Sequence, residues 1–92
     1  MHEAHLTNDL VHRLEEIAAA EHSPRVVRIG VRLGALSHFT PQHFREHFAD
    51  SARGTVAEGA AVDAEMTTDP FAPDAQGIVL ETVELEVVED LP

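Results

Sequence analysis

Hydrophobic residues recur along this chain with two periods, every three or four residues in some segments and every second residue in others. The longer period predicts two helices. From about His5 to Glu21, leucine or isoleucine recurs every three or four residues, as on one face of a helix. Ser23-Pro24 ends this helix, because the residue before a proline is disfavoured in the helical region. Thr40-Pro41 is typical of an N-cap followed by proline at the first helical position, and Gly54 is a suitable stop. The apolar stripe of this second helix is Phe44, Phe48 and Ala52.

The shorter period, an alternation of apolar and polar residues, predicts three strands with one buried face each. The first covers Val27–Leu33, the second Val62–Met66, and the third and longest Ile78–Val88. Gly34–Phe39 is predicted to be a turn. Thr67–Gly77 holds two prolines and a glycine and is predicted to be a loop.

The order helix, strand, helix, strand, strand predicts an α+β fold, a three-stranded sheet with two helices packed on one face. Such packing buries the apolar stripes together with Phe39 and leaves the acidic residues of the last two strands in water. We expect the 67–77 loop to join these two strands directly as a hairpin. The length of 92 residues suits a single domain, residues 1–92.

Composition narrows the possible classes of function. With 17 acidic and 6 basic residues the net charge is -11, which argues against nucleic acid, whose phosphates need a basic surface. Anionic membrane surfaces are disfavoured for the same reason, and no apolar run approaches the roughly 18 residues of a spanning helix. The start of the chain lacks the pattern of a signal peptide, so the expected location is the cytoplasm.

No set of residues indicates an enzyme. The chain has no phosphate-binding glycine loop, no nucleophile elbow and, without cysteine, no thiol nucleophile. Ser37 beside His38 is adjacency in the sequence, which does not make a catalytic triad. The acidic residues follow the alternation of strand surfaces, so we expect no catalytic activity.

The amino-terminal segment Met1-His2-Glu3 is the best candidate for chemistry. The Met1 amine, the His2 amide and the His2 imidazole are close enough along one backbone to chelate a single ion. A planar set of nitrogen donors suits nickel(II) or copper(II) better than zinc. If the helix begins within the next few residues, the amides of His2 and Glu3 have no partner inside it and can bind the ion. The alternative interpretation of His2 is an ordinary polar residue at a frayed chain end.

Four further histidines are candidate metal ligands. His43 and His47 are four residues apart, which places both imidazoles on one face of the second helix. His38 lies just before this helix, so the three could form an accessory nickel or copper site or complete the terminal one. His5 follows His2 by about one helical turn and is a candidate extra ligand. The alternative for His43 and His47 is a simply solvated helix face.

Six short segments, in order along the chain, form a pattern that extends beyond the terminal tripeptide. They are Met1-His2-Glu3, Val31-Arg32-Leu33-Gly34, Leu36-Ser37, the helix opening near Pro41, Gly54–Ala60 and Thr82–Glu86. Together they resemble the HypA/HybF family, the nickel metallochaperones of hydrogenase maturation. The resemblance implies nickel(II) as the bound metal, with the Met1 amine, His2 and the backbone beginning at Glu3 as ligands. It also implies a GTPase partner for nickel insertion and delivery to the hydrogenase large subunit or, in some organisms, to urease.

The chain departs from that family in one large respect. The family's zinc module, with two CxxC pairs, lies between the second and last strands, where this chain has only the loop Thr67–Gly77. A closed structural site of that kind needs four thiolates, and the chain has no cysteine, so we expect no zinc. In addition, His38 stands where the family more often has a small residue. The alternative function is a degenerate interaction module that keeps the fold, binds no metal and docks through its acidic sheet or first helix.

Overall fold

The described part of the chain contains two helices and three strands in the predicted order. A computed structural model describes residues 2–73 and 75–87, with side chains from His5 onward. The elements are α1 (His2–Ala20), β1 (Val26–Leu33), α2 (Pro41–Ala52), β2 (Ala61–Met66) and β3 (Ile78–Leu85). Helix α1 thus begins at His2 rather than His5. Strand β3 ends at Leu85, whereas the predicted end, Val88, lies outside the described residues. The α+β class is confirmed.

The core lies between the sheet and the two helices. It consists of the inner face of β1, the apolar stripes of both helices and two neighbouring residues: Leu10, Val11, Leu14, Ala18, Val26, Ile29, Val31, Leu33, Phe39, Phe44, Phe48, Ala52 and Ala57. Phe39 contacts Phe44 edge to face at a centroid distance of 5.6 Å, and Phe44 stacks on Phe48 at 5.9 Å. These three rings supply large apolar areas to one cluster, as predicted. No helix within the described part of the chain is long and apolar enough to cross a bilayer.

Strand β1 is the centre of the sheet, whose order is β2-β1-β3. β2 runs parallel to β1, and β3 runs antiparallel to it. The predicted hairpin between β2 and β3 is therefore wrong, because β1 separates them. Two physical reasons account for the arrangement. The connection from β1 to β2 contains α2, which is the long crossover that a parallel pair needs. The inner face of β1 is also the most apolar, so the central position buries it best.

The 67–77 loop crosses the carboxyl end of β1 and connects the two edge strands. The Thr67 amide donates to the Leu33 carbonyl at 2.9 Å, and the Leu36 amide donates to the Ala75 carbonyl at 2.7 Å. Its eleven residues exceed the two to five typical of a hairpin. These bonds hold the loop against the turn that follows β1, and Ala75 is buried there.

The outer face of the sheet carries charged pairs, as predicted for its acidic residues. Arg28 Nη1 donates to Asp63 Oδ2 at 2.6 Å, and Arg28 Nε lies 3.9 Å from Glu84 Oε2. Arg32 Nη1 donates to Glu81 Oε2 at 3.0 Å. The hydrogen bond from Arg28 to Asp63 and the charges of Asp63 and Glu84 raise the pKa of Arg28 above its ordinary value. Because these side chains are exposed to water, the pairs contribute little to stability.

Gly30 permits a close approach on this outer face. It is paired with Thr82 of β3, and a Cβ added to Gly30 would overlap Thr82 Oγ1. We expect Gly30→Ala to lower the free energy of unfolding by about 1 kcal/mol through overpacking, measured by urea denaturation. In a Thr82→Ala background the same change should be neutral or stabilising, because alanine restricts the unfolded chain more than glycine does. Equal destabilisation in both backgrounds would contradict this account.

Candidate metal site at the start of the first helix

Three segments of the chain meet at the end of the molecule where α1 begins. The first turn of α1, the turn after β1 and the last part of the 67–77 loop enclose an open cavity of about 490 Å³. We call it the terminal cavity, and its lining residues are His5, Leu6, Leu36, Ser37, His38 and Gln76. Two predicted ligands that are far apart in the sequence, His5 and His38, thus line one cavity.

The backbone of the amino-terminal segment supports its predicted role. α1 is helical from His2 onward, and the first four amides of a helix have no partner inside it. The amides of His2 and Glu3 can therefore bind an ion without breaking a helical hydrogen bond. Met1, and the side chains of His2 and Glu3, lie outside the described residues, so these principal ligands remain predictions.

His5 is an exposed residue in the first turns of α1, which are held in place by contacts of the two residues that follow it. Its Nε2 lies 3.3 Å from Asp9 Oδ2, one helical turn further on. Leu6 packs against the core, and the buried Thr7 hydroxyl lies 2.8 Å from Ser51 Oγ of α2. These contacts attach the first turns of α1 to the core while leaving His5 accessible to solvent.

His38 is an exposed residue between two buried ones. Ser37 and Phe39 are buried on either side, and Ser37 Oγ accepts a hydrogen bond from the Phe39 amide at 3.4 Å. The φ angle of His38 is 67°, in the left-handed region. This conformation costs a residue other than glycine about 1–2 kcal/mol. The buried neighbours hold the turn in that shape, and His38 lines the terminal cavity.

His43 and His47 form a different pair. They share one face of α2, as predicted, with ring centroids 6.3 Å apart, and His47 contacts Phe39 at 5.9 Å. Among the residues with described side chains, no group of three histidine, aspartate or glutamate residues could hold a metal ion. The structure therefore does not bring His38, His43 and His47 together as one site. It divides the four candidate histidines into a cavity pair and a helix pair.

Two residues beside the candidate ligands were not predicted from the sequence. Asp9 could have been found, because its spacing of four from His5 places both side chains on one helix face. Gln76 could not, since it reaches the terminal cavity only because the 67–77 loop crosses the end of β1. For the same reason, the sequence did not indicate that His5 and His38 line one cavity.

Comparisons with known proteins agree with this architecture. A family model described as "Hydrogenase/urease nickel incorporation, metallochaperone, hypA" matches residues 1–72. The hydrogenase maturation factor HypA of Methylocella silvestris is 39% identical over 66 residues, which are 72% of this chain and 58% of that protein. HypA 1 of Bradyrhizobium diazoefficiens is 40% identical over 63 residues, 68% of this chain and 56% of that protein. The chain therefore spans less than two thirds of the length of these relatives.

A solved structure shows the same fold. The solution structure of the Ni metallochaperone HypA from Helicobacter pylori matches with a TM-score of 0.72, covering 90% of this chain and 96% of that one. The sequences are 17% identical, so this likeness concerns the fold alone. The match to the family model ends before β3.

The turn that carries His38 leads directly into the N-cap of α2. Thr40 Oγ1 accepts a hydrogen bond from the His43 amide at 3.1 Å. We expect Thr40→Ala to lower the free energy of unfolding by about 1 kcal/mol, because an amide at the helix start loses its partner. Thr40→Ser keeps the hydroxyl and is the matched control, which should stay close to the parent protein in urea denaturation. Equal losses in the two variants would show that the cap bond is not the cause.

Proposed function

This chain belongs to the HypA family of nickel-incorporation metallochaperones, and from that premise we propose that it binds nickel(II) at Met1, His2 and Glu3 and delivers it. The observation that carries the proposal is the family match over residues 1–72, which includes this segment. The ion is cargo, received at the chain start and passed to a protein that assembles a nickel enzyme.

The position of the proposed ligands suits transfer rather than storage. The helical backbone begins at His2, so the amides there are available to an ion. The neighbouring His5 is exposed to solvent, and the terminal cavity beside it is open. An ion held beside an exposed imidazole and an open cavity can be reached by a docked acceptor, whereas an ion enclosed in a rigid site is released slowly.

We propose that residues 1–92 act as a single nickel-binding-type domain, in which the 67–77 loop stands in place of the family's zinc module. Hydrogen bonds join this loop to the end of β1 and to the turn after it, and the chain has no cysteine to bind zinc. The proposed partners are a GTPase that assists nickel insertion and the hydrogenase large subunit, or urease. We place this transfer in the cytoplasm and assign the protein no catalysis and no nucleic acid or membrane as partner.

The alternative, an interaction module that binds no metal, would use the same fold. The family match through the amino-terminal segment favours nickel binding over this alternative. Dialysis of the untagged protein against nickel, followed by a count of ions per chain, separates the two. A count near zero in folded protein would support the interaction module.

His2→Ala should abolish stoichiometric nickel binding, because it removes one donor of the terminal chelate, and calorimetry on untagged protein measures the loss. Acetylation of the Met1 amine should also abolish nickel binding, because it blocks a second nitrogen donor of the chelate. His12→Ala is the matched control, since His12 is an exposed histidine in the middle of α1. The nickel affinity of this variant should equal that of the parent protein. Unchanged binding in both the His2 variant and the acetylated protein would defeat the terminal chelate.

Nickel binding should weaken as the solution becomes more acidic. The imidazole and the amine must lose their protons before they coordinate, so protons compete with the ion. Calorimetric titrations at several pH values across the range in which histidine titrates should show a steady fall in affinity. An affinity that does not change across this range would argue against imidazole and amine ligands.

A further inference from the structure

We infer that β3 binds an extended segment of a partner protein along its outer edge, and that this segment alternates apolar and basic residues. The added segment forms a fourth strand of the sheet. This inference concerns protein recognition and does not depend on the proposed nickel ligands.

The two edges of the sheet differ in what lies against them. At the β2 edge, Arg45 Nε of α2 donates to the Val62 carbonyl at 3.3 Å, so a side chain already binds the backbone of that strand. Among the described residues, β3 pairs with β1 only. The amides and carbonyls on its other side therefore have no strand partner, and such a row of groups is a template for pairing with another chain.

The composition of β3 suits this pairing. Its eight residues, Ile78–Leu85, contain neither proline nor lysine, the residues by which edge strands commonly prevent the addition of another strand. Half of them are isoleucine, valine or threonine, which favour extended backbone. The edge is thus long enough and regular enough in sequence to accept a further strand.

An apolar groove lies beside β3 on the inner side of the sheet. It is a cavity of about 170 Å³ between α1 and β3, which we call the α1–β3 groove, and its lining residues are Leu6, Asp9, Leu10, Arg13, Ile78 and Leu80. On the same side of the strand, Val83 and Leu85 are only half-buried. Every second side chain of an added strand would point to this side, so apolar residues at these positions would cover the exposed apolar surface.

The outer side of the sheet sets the charge of the remaining positions. Glu81 and Glu84 of β3 are exposed there, and Asp63 and Glu65 of β2 outnumber, together with them, the two arginines of β1. Opposite charges on neighbouring strands stabilise their pairing, and like charges directly opposite destabilise it. Residues of the added segment that face outward are therefore basic.

A second copy of this chain suits the edge less well. Two β3 strands side by side would bring the glutamates of one copy against those of the other, which is unfavourable. The net charge of -11 on each copy also opposes their approach. The charge pattern thus favours a different protein, bound through backbone hydrogen bonds and alternate side chains as in other cases of strand addition.

The test is a titration of the full chain, isotopically labelled for NMR, with the blocked synthetic peptide Lys-Val-Lys-Val-Lys-Val-Lys. We expect one peptide per chain, with the largest amide shifts in β3 and at Leu6 and Leu10 of the α1–β3 groove. A peptide with glutamate in place of lysine should bind about tenfold more weakly, because like charges then face each other. Methylation of two adjacent central amides of the lysine peptide should abolish binding, because it removes donors from both edges and leaves the charge unchanged.

Two variants of the protein form a matched pair. Glu84→Gln removes a carboxylate of β3 beside Arg28, and Asp63→Asn removes a carboxylate of β2 beside the same arginine. Both variants should remain folded by circular dichroism, since exposed ion pairs contribute little to stability. Glu84→Gln should weaken binding of the lysine peptide about threefold, whereas Asp63→Asn should bind it like the parent.

Several results would overturn the inference. The first is no binding of the lysine peptide, and the second is equal binding of the methylated peptide, which would indicate only general attraction of a cation to an acidic protein. Amide shifts confined to β2 would assign the wrong edge. Dimers of the free chain in sedimentation, with shifts in β3 that depend on concentration, would give the edge to a second copy. The nickel count of the parent protein is independent of all four results, so the proposed function is tested separately.

Discussion

Burial of the inner face of β1 is the constraint that positions the other elements. Val26, Ile29, Val31 and Leu33 of this strand are at most 1% exposed, and burial of side chains of this size contributes about 1.5–3 kcal/mol each relative to exposure in water. Only a central position beneath both helices hides them all. The inner-facing residues of β2 and β3 are partly exposed, so these strands occupy the edges.

The central position of β1 also decides where the candidate site forms. With β2 and β3 at opposite edges, their connection has to pass the carboxyl end of β1, and there it meets the turn that carries His38. The first turn of α1, attached to α2 by Thr7 and Ser51, lies beside the same turn. A cavity with two imidazoles therefore arises from the way the sheet is closed.

The ion pairs of the sheet involve none of the residues that line the terminal cavity. Acidic residues of β2 and β3 surround the arginines of β1 on the outer face of the sheet, while His5 and His38 line the terminal cavity. The proposed terminal chelate depends on nitrogen donors, so it does not draw on the carboxylates of this face.

Local patterns in the sequence determined the elements, because helical and strand periods, the Thr40-Pro41 cap and the Gly54 stop act over a few residues. The proposed terminal chelate, with its donors on adjacent residues, rests on a local pattern of the same kind. Strand order could not be determined in this way, since the alternation in β2 and β3 is the same whether they pair with each other or with β1. The tertiary structure alone placed His5 and His38 on the lining of one cavity, because that arrangement depends on contacts between segments that are far apart in the sequence.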